Sequence, residues 1–115
     1  MKKNTVEEML PLTEAFYYIL LVLQPGPAHG YGMMQEVERL TDGRLKIGPG
    51  TLYTALNTLT AKKLIENTNE TDPADSRRKL YATTPLGSQV AEAEMKRMEE
   101  LVQHGHHYLQ GGHAQ

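Results

Sequence analysis

Proline and glycine punctuation limits this chain to short segments. Pro25-Gly26-Pro27, Asp42-Gly43, Gly48-Pro49-Gly50 and Thr84-Pro85 each break the regular structure before them, because proline lacks a backbone donor and glycine accepts left-handed turns. Ahead of the first break, Phe16, Ile19, Leu20 and Leu23 recur at i, i+3, i+4 and i+7, the apolar stripe of a helix. Thr13 before Glu14 supplies its N-cap. A second helix is predicted from about His29 to Thr41, with Tyr31, Met34, Val37 and Leu40 inward and Gly43 making the terminating turn. Arg44-Leu45-Lys46-Ile47 alternates polar and apolar side chains and reads as a very short strand. Pro49 suits the first position of a third helix, which runs to about Lys63 and buries Leu52, Ala55, Leu56 and Leu59.

Beyond it, Leu64 to Asn69 and Arg78 to Thr83 read as two antiparallel strands joined by a polar loop over 70–77. Thr84 caps, and Pro85 opens, a long last helix reaching about Tyr108, with a frayed tail from Gly111. Three helices followed by a β-hairpin define a mainly α chain with a small hairpin wing, the layout of a winged helix-turn-helix. Residues 1–83 form that unit, 84–110 a C-terminal dimerisation helix and 111–115 a flexible tail. At 115 residues there is no room for a further catalytic domain.

The net charge of −2 hides an uneven distribution. Residues 44–79 carry seven basic and four acidic side chains, whereas the segments on either side are acidic. The local field, which governs attraction of a polyanion, is therefore positive in the middle third. With Leu52, Leu56 and Leu59 inward, the third helix turns Gly50, Thr54, Asn57, Thr58 and Ala61 outward, with Tyr53 at the edge. That face has no acid and no bulky aliphatic group. Small hydroxyl and amide side chains let a helix sit in a major groove and exchange hydrogen bonds with base edges and phosphates. An ordinary solvated helix face is the alternative, but such faces usually carry Glu–Lys pairs. Lys46 precedes the helix and Lys62 stands at its end, while Arg77, Arg78 and Lys79 follow the hairpin loop, where they are placed to hold phosphate.

Several of these residues form a recognisable set. His29-Gly30-Tyr31-Gly32, Gly43 to Ile47, Pro49-Gly50-Thr51-Leu52-Tyr53, Lys63-Leu64-Ile65-Glu66, Arg77-Arg78-Lys79-Leu80-Tyr81 and Thr84-x-x-Gly87 together resemble the PadR family of transcriptional regulators, over roughly residues 10–105. The resemblance implies a homodimeric winged-helix repressor of the subgroup with a single C-terminal helix, released by an apolar or aromatic small molecule. The expected DNA contacts are Lys46, Gly50, Thr51, Tyr53, Thr54, Asn57, Thr58, Lys62, Arg77, Arg78 and Lys79. Thr54 and Gly48 depart from the family, which often has Pro and Ser there, and Thr58, Thr60 and Ala61 replace its usual charged residues.

On the last helix, Ala91, Met95, Met98, Val102 and Leu109 step as a heptad-like seam, widened by Leu86, Val90 and Leu101. With Phe16 and Leu20 of the first helix, these are the expected dimer contacts; folding back on the chain's own first helix is the alternative. His104, His106, His107 and His113 lack a nearby carboxylate or thiolate to complete a metal site and are read as a solvated tail. The absence of cysteine excludes thiolate chemistry and disulfides. Gly30 and Gly32 lack the third glycine of a dinucleotide fingerprint. Neither a phosphate loop nor a nucleophile–base set is evident, so no enzyme activity and no cofactor are expected. The longest apolar run, Ala15 to Leu23, is too short to span a bilayer and is not a secretory signal, so the expected location is cytoplasmic. The partners expected are double-stranded DNA with a roughly palindromic operator and a second copy of the chain. A winged-helix module binding an acidic protein is the alternative.

Overall fold

In the computed structural model, residues 2–111 are described, residues 2–4 by their backbone alone. The order is α1 (Lys2–Glu8), α2 (Glu14–Val22), α3 (Gly30–Leu40), α4 (Pro49–Ala61), β1 (Ile65–Asp72), β2 (Asp75–Thr83) and α5 (Pro85–Leu109). The sequence reading contained no counterpart of α1, which leans on α5. The tail assigned to 111–115 lies, but for Gly111, outside the described residues.

Local capping sets the helix starts. Thr13 Oγ1 accepts from the Phe16 N–H at 3.1 Å, as its position before Glu14 requires. Thr84 Oγ1 accepts from the Gly87 N–H at 3.0 Å and donates to the Lys63 carbonyl at 2.7 Å, which ties the start of α5 to the end of the α4–β1 link. Gly87 has no alternative there, since a Cβ would lie 2.0 Å from the Leu64 carbonyl oxygen. At the end of α3 the Gly43 N–H reaches the Glu38 carbonyl with φ at 80°, the left-handed closure expected of glycine.

The core is shared among the helices. Ile19, Leu20 and Leu23 of the α2 segment meet Met33 and Val37 of α3, Leu52, Leu56 and Leu59 of α4, and Val90 of α5. The inward face of α3 differs from expectation: Gly30, Met33 and Val37 are buried, while Tyr31 and Leu40 are 51% and 48% exposed and Met34 is half-buried. The cause is the approach of α3 to α4 at Gly30, where a Cβ would sit 2.9 Å from Leu52 Cδ2. With Gly30 turned into α4, Tyr31 must face out.

Two strand expectations also change. Residues 44–47 form no strand; Ile47 is buried in an extended link, and Ala28 instead pairs with Tyr81 through N–H···O bonds of 3.0 and 2.9 Å. The wing is longer than the apolar pattern suggested, because its outer strand residues, Asn69 to Asp72 and Asp75 to Arg77, are all polar and give no apolar alternation to read. Strands β1 and β2 pair antiparallel from Ile65↔Thr83 through Asn67↔Tyr81. They bulge before Thr71↔Lys79 and close at Asp72↔Asp75 around Pro73-Ala74. Asn69 takes φ 65° at the first irregularity, a conformation its short amide tolerates.

Candidate nucleic-acid interface

Four core positions, Leu52, Ala55, Leu56 and Leu59, hold one side of α4 inside, so the opposite side is surface. Gly50, Thr51, Tyr53, Thr54 and Asn57 are exposed there as expected; Thr58 is half-buried. Gly48 makes no side-chain cap bond, so the first N–H groups of α4 meet no side-chain oxygen from the cap residue. Lys46 is exposed beside α3, 3.9 Å from Glu38. Lys62, the exposed C-cap of α4, also lines a groove with Met9, Pro11, Leu12, Phe16 and Leu64.

Between α4 and the wing lies a cleft of about 450 Å³, lined by Tyr53 and Asn57 on one wall and Arg77, Arg78, Lys79 and Tyr81 on the other. His29, Gly30 and Tyr31 form its end. The three wing cations differ in availability. Lys79 is exposed. Arg77 bonds Asp75 through Nε and Nη2, both at 3.1 Å, and the Arg77 side chain and its backbone N–H hold the Asp75 carboxyl below the usual carboxylate range. Arg78 is half-buried between Asp72 at 3.8 Å and Asp75 at 3.7 Å, with its guanidinium 5.4 Å from the Tyr31 ring centre. Neither aspartate nor Tyr31 belonged to the surface inferred from sequence. Their polarity gave no signal distinguishing them from loop residues, and Tyr31 had been turned inward.

His29 is the N-cap of α3, its Nδ1 accepting from the Gly32 N–H at 3.0 Å, and Glu14 pairs with Arg44 across α2. No cluster of three or more His, Cys, Asp or Glu able to hold a metal occurs among the described residues, and His113 lies outside them.

The residues assigned to a dimer seam divide into two groups. Leu20, Val90 and Ala91 are inside the chain's own core, so the fold-back alternative holds for that part of α5. Phe16 and Leu86 are half-buried against the same core. Further along α5, Met95, Leu101, Val102 and Leu109 are 41%, 53%, 56% and 84% exposed, with Met98 half-buried beside them. Glu94, which the sequence did not single out, is 1% exposed. Its carboxylate accepts from Arg97 Nε at 2.7 Å, from Arg97 Nη2 at 3.0 Å and from the Leu12 N–H at 3.0 Å. These bonds lower its pKa, Arg97 first, against the opposing effect of burial.

A polar-faced helix set beside a basic β-hairpin, on a bundle closed by a long C-terminal helix, defines the winged-helix class of DNA-binding regulators. The profile of the Transcriptional regulator PadR-like family matches residues 19–93, and the chain belongs to that family. Among solved structures, a transcriptional regulator from Clostridium thermocellum superposes with a TM-score of 0.72 at 19% identity, covering 95% of this chain and 98% of that one. A PadR family transcription regulator from Clostridium difficile R20291 does so at 0.72 and 21%, covering 84% and 99%. RosR of H. salinarum gives 0.60 at 26%, covering 83% and 78%. An uncharacterized 37.1 kDa protein in transposon TN4556 of Streptomyces fradiae is 35% identical over 88 residues. That match takes in 76% of this chain but only 24% of the transposon protein, so the chain spans about a quarter of that relative's length. The protein is thus a winged-helix member of the PadR-like family of transcriptional regulators.

Proposed function

We propose that this regulator is a homodimeric, sequence-specific repressor in which α4 enters the major groove and the wing follows the adjoining backbone. The observation that carries this reading is the outer face of α4, where Gly50, Thr51, Tyr53, Thr54 and Asn57 are exposed with no acid among them. Such a face approaches a polyanion without repulsion, and its hydroxyl and amide groups match base edges. Lys79, in the cleft with Tyr53 and Asn57, and Lys46, in the link before α4, are exposed cations suited to phosphate. The exposed apolar half of α5 supports assignment of the second chain to that helix. Met95, Met98 and Val102 also line an open groove there, which suits an apolar or aromatic effector acting by favouring one spacing of the two α4 helices.

The reading is tested by selecting bound fragments from a mixed genomic duplex pool and titrating the winners with salt. A sequence-specific dimer enriches a roughly palindromic sequence and loses affinity steeply as salt rises. Failure to enrich any duplex at low salt overturns it and favours a winged-helix module that binds an acidic protein.

A further inference from the structure

His29, Gly30 and Tyr31 lie at the end of the cleft between α4 and the wing, and DNA contacts alone do not explain them. Helices are usually capped by Ser, Thr, Asp or Asn, whose side chains are too short to reach across a cleft to a separate element such as the wing. An imidazole has a second nitrogen. Nδ1 accepts the Gly32 N–H at 3.0 Å, which leaves Nε2 as the ring nitrogen facing the wing, 3.4 Å from Asp72 Oδ2 near the wing tip, a polar contact longer than an ordinary hydrogen bond. Arg78 Nη1, 3.4 Å from the same ring nitrogen, turns toward the same carboxylate oxygen at 3.8 Å. The Tyr31 ring runs parallel to His29, with ring centres 6.5 Å apart and planes 6° from each other, and underlies the Arg78 guanidinium at 5.4 Å. Gly32 leaves room for the flat ring, since a Cβ there would come within 3.3 Å of His29 Cε1. Asp72 and His29 are only 18% and 19% exposed, so solvent weakens these contacts less than it would at an open surface.

We infer that His29, Tyr31, Asp72 and Arg78 form a latch that fixes the wing tip to the start of α3 and so sets the angle at which the wing meets DNA. In this role Asp72 and Arg78 are positioning residues, and Arg78 is not a phosphate ligand. The inference rests on the proposed DNA-binding mode for its consequence, but the latch itself exists in the free protein and is measurable there.

The decisive variant is Asp72→Asn. It keeps the Oδ1 acceptor used by the Ala74 N–H at the turn, and it removes a negative charge from the DNA-facing side. Simple electrostatics therefore predicts tighter binding, and it frees Arg78 for phosphate. The latch predicts the opposite, a loss of roughly threefold to tenfold, the worth of one or two solvent-competing polar contacts. His29→Asn is the companion variant: asparagine still caps α3 but cannot reach the wing, so it should show the same loss without global destabilisation. Amide hydrogen exchange on DNA-free protein is followed in both. Faster exchange confined to residues 72–81, with α4 amides unchanged, is the expected result. Unchanged wing exchange overturns the latch whatever the DNA affinity. Faster wing exchange with equal or tighter DNA binding overturns the positioning role. Faster wing exchange in a protein whose wild type selects no duplex keeps the latch and overturns the DNA reading instead.

Discussion

Two glycines show how close approach of backbone decides what a position tolerates. At Gly30 the nearest obstacle to a Cβ is the end of the Leu52 side chain, which can turn aside; at Gly87 it is the Leu64 carbonyl, which is fixed by its bonds to Thr84. Gly30→Ala should therefore cost about 1 kcal/mol, and Gly87→Ala at least the upper part of the ~1–3 kcal/mol range of overpacked sites, measured as shifts in the urea midpoint at constant slope. Glu94 is the other residue whose chemistry is set by its surroundings. Its folded pKa lies below the unfolded value, so its contribution is present above the unfolded carboxylate range and is lost as pH falls through the folded pKa. Glu94→Gln keeps the shape but removes the charge facing Arg97. It should lower stability by about 1–3 kcal/mol at neutral pH, and the difference from wild type should shrink on acidification. Denaturation at pH 7 and pH 3 measures both.

At the scale of elements, what could be read in the sequence was whatever a few neighbouring residues decide. Thr13 and Thr84 cap, Gly43 closes and Leu52 to Leu59 point inward because these depend on adjacent backbone and helical period alone. The direction of Tyr31 depends instead on where Gly30 meets a different helix, and the pairing of Ala28 with Tyr81 depends on a strand edge formed far along the chain. The hairpin itself was legible, but the length of its strands was not, for another reason: with no core behind its outer half, those strand residues have the composition of a loop. Of the candidate surface, the exposure of the α4 face was legible, and the engagement of Arg78 was hidden because Asp72 and His29 come from separate elements. On the proposed reading the two elements then divide the work. Asn57→Ala should change which sequence is preferred, costing about 1–3 kcal/mol at the favoured site. Lys79→Ala should weaken all sequences alike and reduce the salt slope by about one. Binding-site selection and salt titration of the two variants separate the roles; a changed preference with Lys79→Ala and none with Asn57→Ala would reverse them.

For the whole molecule, shape points the same way as exposure. The Cα radius of gyration is 16.4 Å, whereas a compact chain of this length has one of about 13 Å, and the longest dimension is 60 Å. The excess comes with a 25-residue α5 whose first half is bound into the core through Val90, Ala91 and Glu94 and whose second half carries exposed Leu101, Val102 and Leu109. A partner chain covering that half would offset the cost of holding it in water. It would also set the distance between two α4 helices, which must be about 34–36 Å, one turn of DNA, for both to enter successive major-groove faces. Val102→Glu tests this without disturbing the core, since the residue is 56% exposed in the single chain. The variant should fold with an unchanged urea slope per chain yet sediment as a monomer, because a carboxylate is placed in the apolar contact. Loss of the second half-site should then weaken operator binding by 100-fold or more, on the order of the avidity gained by linking two modules. Two measurements on the same sample decide the matter, sedimentation velocity and operator titration. A variant that stays dimeric would move the second chain to another face, and a monomer that binds at full strength would show that one winged-helix unit is sufficient.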